Sequence, residues 1–153
     1  MNKSRSTYGW SSSLRNKADD YSSLEFLVVD DDPGIRSIIS DVLRTSGAKD
    51  IGTASNGTEA ASHLVSNPDR YAAILCDCQM SPGNGLELLA ALRQGKIKGI
   101  DPETPFIMIT GYGEMPIVKK AMELRVSGFL AKPVSLEKLT KAVNKALSLK
   151  AEN

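Results

Sequence analysis

From residue 24 onward the apolar positions of this chain follow two alternating patterns. Short unbroken apolar runs mark strands buried on both faces of a parallel sheet. Between them lie stretches whose apolar residues recur every three or four positions, as in amphipathic helices. The runs cover residues 24–29, 50–54, 71–77, 106–109 and 128–131. The first two helical patterns run through Ile35, Ile38, Ile39, Val42 and Leu43, then through Ala60, Ala61, Leu64 and Val65. The next two take Leu88, Leu89 and Leu92, then Ile117, Val118, Ala121 and Met122, and the last takes Leu136, Leu139, Val143 and Leu147. Pro33 and Pro116 suit the first position of a helix, where a missing N–H costs nothing. Gly47 is a stop signal, and residues 95–103 read as a longer polar loop. Five strands alternating with five helices imply right-handed crossovers and an α/β fold, a doubly wound parallel sheet of (βα)5 form in one domain over residues 24–150. Residues 1–23 mix Ser with Lys3, Arg5, Arg15 and Lys17 and show no apolar period, so they read as a disordered tail.

Composition narrows the function. The 153 residues suit one domain with a full core. A net charge of +1 gives no electrostatic case for nucleic acid or an anionic membrane. No apolar run approaches the roughly 20 residues of a membrane helix, and no secretory h-region follows Met1. Cys76 and Cys78 are expected on opposite faces of a strand end, unable to pair, which points to a reducing cytoplasmic setting. His63, the only histidine, is expected to be exposed and supports neither a triad nor a zinc site. Neither glycine-rich nucleotide motif occurs.

Chemistry collects at the C-terminal ends of the strands, which share one edge in a parallel sheet. The first strand ends on Asp30-Asp31-Asp32, the third on Asp77, the fourth on Thr110 and the fifth on Lys132. Asp32, before Pro33, fits a helix cap. Asp30, Asp31 and Asp77 would repel one another without a cation among them, and hard oxygen donors favour Mg²⁺ or Mn²⁺. A carboxylate is a competent nucleophile for phosphoryl transfer. Lys132 can meet one phosphoryl oxygen as a point charge and Thr110 can donate to a second. Asp77 is therefore the candidate phosphoacceptor.

The motifs Val28-Val29-Asp30-Asp31-Asp32-Pro33, Leu75-Cys76-Asp77-Cys78-Gln79-Met80, Ile109-Thr110-Gly111 and Gly128-Phe129-Leu130-Ala131-Lys132-Pro133 stand in this order along the chain. Together they resemble the receiver domain of two-component response regulators, in its single-domain, chemotaxis-regulator-like form. The resemblance implies a flavodoxin-like sheet of strand order 2-1-3-4-5. It implies that Asp77 accepts the phosphoryl group from a histidine kinase or phosphotransfer protein. Asp31 would ligate Mg²⁺ directly, Asp30 through water, and the backbone carbonyl of Gln79 would complete the protein's share. Thr110 would be the switch hydroxyl, coupled to Phe129, and Lys132 the phosphate-binding lysine, with a cis Lys132–Pro133 bond. Phosphorylation would change what the surface of the fourth helix, fifth strand and fifth helix binds.

Few residues follow Lys150, so a stand-alone switch is expected, not an enzyme in the ordinary sense. Its downstream target, and whether phosphorylation drives homodimerisation, are not legible. An aspartyl-phosphate phosphatase would need a second acid where Gln79 stands. A phosphorylation-independent adaptor is expected to have lost an acid, the threonine or the lysine. Ser81 before Pro82, with Gly83 and Asn84, departs from the family's usual turn. The resemblance implies that Gln79 and Tyr112 occupy positions that tune dephosphorylation in that family, and a bulky Tyr112 would shield the acyl phosphate from water. Tyr112→Ala is therefore expected to shorten the lifetime of the phosphorylated protein; an unchanged decay rate would sink the idea.

Overall fold

The computed structural model describes residues 20–111 and 114–152. The elements in chain order are β1 (Glu25–Val29), α1 (Pro33–Thr45), β2 (Asp50–Ala54), α2 (Gly57–Ser66), β3 (Ala73–Asp77), α3 (Gly85–Arg93), β4 (Phe106–Thr110), α4 (Met115–Glu123), β5 (Gly128–Ala131) and α5 (Leu136–Glu152). The strands form one sheet of order β2-β1-β3-β4-β5, every neighbouring pair parallel, as the resemblance implied.

The unbroken apolar runs have a direct cause. Leu27, Val29, Ile74, Cys76, Phe106 and Met108 face one layer, packed with Ala60 and Leu64 of α2, Leu88, Leu89 and Leu92 of α3 and Ala121 of α4. Phe26, Val28, Ala73, Leu75, Ile107 and Ile109 face the other, with Ile39 and Leu43 of α1 and Leu139, Val143 and Ala146 of α5. Successive strand residues point to opposite faces, and both faces are covered, so no polar alternation is needed.

Local chemistry sets the helix starts. Asp32 caps α1 by accepting from the Gly34 and Ile35 amides, and Pro33 follows it. Asn56 caps α2 through the Glu59 amide. Asn84 and Glu87 form a reciprocal capping box on α3. The α4 helix differs, because Glu114 at its cap position makes no side-chain capping bond. Gly85 must lack a side chain: a Cβ there would overlap the Asp77 carbonyl oxygen. The Lys132–Pro133 peptide is cis, as the resemblance implied, and so is Ser81–Pro82.

Several expectations need correction. Ile38, Val65, Met122 and Leu136, assigned to inward stripes, are exposed. Each lies near a residue of its own helix that is buried instead, namely Ile39, Leu64, Ala121 and Leu139, so the covered stripe is narrower than the apolar pattern. The loop over residues 95–103 is not simply polar, because Ile97 and Ile100 plug the core. Cys76 and Cys78 lie in the same core layer, since residues two apart on a strand share a face. His63 is half-buried, its Nδ1 3.0 Å from the Tyr71 hydroxyl. Tyr21, placed in the tail by composition, is buried. Its ring meets Phe26 edge-on at 5.4 Å and its hydroxyl donates to Asn144 Oδ1 at 2.6 Å. Residues 1–19, and with them most of the expected tail, lie outside the described residues, as does Tyr112.

Tyr21 thus closes the sheet face between β1 and α5. Tyr21→Ala is expected to cost about 3 kcal/mol of stability, as core truncations of large aromatics do. Tyr21→Phe should cost about 1 kcal/mol, the worth of one hydrogen bond. Urea denaturation measures both, and a wild-type midpoint for Tyr21→Ala would show that this segment adds nothing to the core.

Candidate functional site

Strand register assembles the site. Val29 pairs with Cys76, Asp77 with Ile109, and Thr110 with Ala131. The residues that follow Val29 and Ala131, namely Asp30 and Lys132, therefore reach the same edge as Asp77 and Thr110. The Asp30 amide donates to the Ala54 carbonyl at 3.1 Å, and the Lys132 amide to the Thr110 carbonyl at 2.8 Å, which extends the sheet into the site.

Asp30, Asp31 and Asp77 each place a carboxylate oxygen within 4.8 Å of the others. Asp30 is fully buried, Asp77 nearly so, and Asp31 is exposed. Asp30 Oδ1 accepts from the Asp32 amide at 2.9 Å, whereas its Oδ2 is buried with no hydrogen bond. Lys132 Nζ stands 3.8 Å from that orphaned oxygen and 3.5 Å from Asp77 Oδ1. Arg36 donates to the Asp30 backbone carbonyl at 2.7 Å and leaves the carboxylate untouched.

Burial dominates the titration of this cluster. It pushes the Asp30 carboxyl up to about 6, against the lowering hydrogen bond from Asp32, and the charge of Asp77 adds to the rise. Burial also raises Asp77, opposed by the charge and hydrogen bond of Lys132 and by a backbone hydrogen bond from Gln79. At Lys132 burial pulls the other way, but Asp77 and Asp30 together outweigh it and the ammonium is held above its ordinary value. Two carboxyls raised beside a strengthened cation mean that one lysine does not neutralise the cluster. A hard divalent cation fits what remains: several oxygen donors close together, one of them unpartnered.

Of the sequence candidates, Asp30, Asp31, Asp77 and Lys132 converge in space, and Thr110 sits next in register to the partner of Asp77. Gln79 has an exposed side chain directly after this strand end. Asp32 stays outside the cluster as a helix cap. Phe129 is half-buried on β5 opposite Met108, two positions before the residue that pairs with Thr110. One participant escaped sequence reasoning. The Glu114 carboxylate accepts from the Gly111 amide through Oε1 and from the Cys78 thiol through Oε2 at 2.7 Å. No spacing rule links residues 78, 111 and 114, so nothing in the sequence could have flagged it.

With this geometry in hand, comparison with known proteins places the chain. Residues 26–144 match the family described as response regulator receiver domain, and the chain belongs to that family. Receiver domains are the phosphoacceptor modules of two-component signalling, and this chain has their fold. It is similar to the response regulator protein PilR of Pseudomonas aeruginosa, at 34% identity over 81% of this chain and 26% of that protein. It is likewise similar to the transcriptional regulatory protein GlrR of Escherichia coli, at 32% over 82% of this chain and 26% of that protein. The chain thus spans about a quarter of the length of these regulators. Sporulation initiation phosphotransferase F of Bacillus subtilis is 30% identical over 83% of this chain and 96% of that protein. Among solved structures, a receiver domain from Clostridium thermocellum superposes with a TM-score of 0.73 at 28% identity, over 84% of this chain and 98% of that one. Chemotaxis protein CheY4 of Vibrio cholerae gives 0.70 at 27% identity, over 80% and 98%.

The raised Asp30 carboxyl has a signed consequence for stability. Well below the ordinary value of 3.8 the group is protonated whether the chain is folded or unfolded, and it makes no difference. As pH climbs from the ordinary carboxylate value of 3.8 towards 6, the unfolded chain releases its proton first, so the folded state loses stability. Without divalent cations, Asp30→Asn is expected to be more stable than wild type at pH 7.5, by on the order of 1–3 kcal/mol. The advantage should fall to a small fraction of that by pH 4. Urea titrations at both pH values measure it; equal stability at pH 7.5 would mean the buried carboxylate carries no penalty.

Proposed function

We propose that this receiver accepts a phosphoryl group on Asp77 from a histidine kinase or a histidine phosphotransfer protein and so changes what its surface binds. One observation carries the reading: Lys132 stands against both Asp77 and Asp30 within a cluster of three strand-end carboxylates. A lysine so placed opposes the rise that burial imposes on the Asp77 carboxyl and so favours the ionised form the reaction needs. An Asp77 oxygen attacks the phosphorus of the donor phosphohistidine. The new oxygen–phosphorus bond forms as the phosphorus–nitrogen bond breaks, and the imidazole leaves with the electron pair.

This chain's residues then hold the charge that develops. Lys132 meets one phosphoryl oxygen, and the Thr110 hydroxyl donates to another. Asp30, Asp31 and Asp77, with the Gln79 backbone carbonyl, would hold Mg²⁺ or Mn²⁺. Bound there, the ion supplies the neutralising charge that the carboxylates and the phosphoryl group both require. Thr110 and Phe129 relay the modification to the face built by α4, β5 and α5. Met115, Met122 and Leu136 are exposed on those helices, 72%, 64% and 49% respectively, which supports a docking role for that face. Among the described residues no helix is long and apolar enough to cross a membrane. Together with the two buried free thiols, Cys76 and Cys78, this supports a cytoplasmic site of action.

Intact mass after incubation with Mg²⁺ and acetyl phosphate tests the reading. Wild type should gain one phosphoryl adduct, stable in acid and labile in base, and Asp77→Ala should gain none. Lys132→Ala should slow adduct formation on the order of tenfold or more, the usual effect of removing one transition-state charge contact. A wild-type protein that is folded yet takes neither a phosphoryl group nor beryllofluoride would overturn the proposal.

A further inference from the structure

The side chain of Glu114 joins the end of the phosphoacceptor strand to the residue that follows Thr110. Glu114 occupies the cap position of α4 but does not cap it. Its carboxylate turns back instead. Oε1 accepts from the amide of Gly111, next to Thr110, and Oε2 accepts from the thiol of Cys78, next to Asp77. The carboxylate therefore bridges the segment leading into α4 and the end of the phosphoacceptor strand. Gly111 suits this arrangement, since a Cβ there would stand 3.2 Å from Glu114 Oε1.

Resting on the phosphoacceptor reading above, we propose that Glu114 is a positioning residue, a latch through Cys78 and Gly111 that holds the start of α4 in its unphosphorylated arrangement and releases it when Asp77 is phosphorylated. The physical reason is charge. Phosphorylation replaces the single carboxylate charge of Asp77 with the nearly two charges of a phosphoryl group, a net gain of about one negative charge one residue from the thiol that Glu114 accepts from. Like charges then oppose the latch, and the Gly111 amide is freed just as Thr110 gains an anion to donate to. A contact made in only one of two states biases the equilibrium towards that state. Removing it should favour the phosphorylated-like state.

Beryllofluoride affinity in the presence of Mg²⁺, read beside urea stability, tests this on the intact chain. Glu114→Ala and Cys78→Ala should each bind beryllofluoride about three- to tenfold tighter than wild type, the scale of a partly screened charge contact. Both should be less stable without it. Cys78→Ser keeps a donor and should restore wild-type affinity. Glu114→Gln, which keeps the fold with one acceptor oxygen, should tighten binding like Glu114→Ala. The Glu114→Ala, Cys78→Ala double variant should bind no tighter than either single one, because both break one bridge. If wild type binds and the variants lose stability with unchanged affinity, Glu114 is structural in both states and the latch is overturned. If wild type binds none and takes no phosphoryl group, the phosphoacceptor reading falls, and the latch with it.

Discussion

Three carboxylates crowded within 4.8 Å, one of them fully buried with an orphaned oxygen, form an arrangement that opposes folding. A chain selected for stability alone would not keep it, because buried charge without a partner is among the costliest features a core can carry. Lys132 offsets part of that cost. The rest is stored as affinity for positive charge, and the surrounding structure has to hold the acids in place against their repulsion. That is what the sheet does. Asp30, Asp77, Thr110 and Lys132 each sit at or just beyond the end of a strand whose register is locked on both sides or by its neighbour's backbone.

The same rigidity bears on the proposed switch. The strands bearing the acids are buried on both faces and have little freedom to shift. Just beyond these strands, Glu114 ties Cys78 to Gly111 through two hydrogen bonds. Beyond them, α4 carries Met115 and Met122 into solvent, and α5 does the same with Leu136. The charge site and the exposed apolar residues of α4 are thus linked through Glu114, which contacts the residue after Asp77 and stands at the start of α4.

Much of the fold was legible because hydrophobic period reports burial directly. All five strands and five helices fall close to where the period places them. The period could not say how wide a helical face the sheet would cover. Ile38 and Met122 therefore looked interior, though neighbouring Ile39 and Ala121 take the buried positions. Composition also hid Tyr21, one large residue beside serines and acids, whose burial depends on α5 more than a hundred positions away.

The sequence by itself determined the order of elements, the parallel sheet and the identity of the strand-end residues, since each follows from short-range pattern and one geometric rule about parallel strands. Only the tertiary structure decided which of those residues meet. Asp32 was separated from Asp30 and Asp31 by the turn into α1, which spends its carboxylate on a helix cap. Glu114 was joined to Cys78 and Gly111 by the folding of one loop against another strand. Distances between groups far apart in the chain depend on packing over the whole domain, and no local window of sequence contains that information.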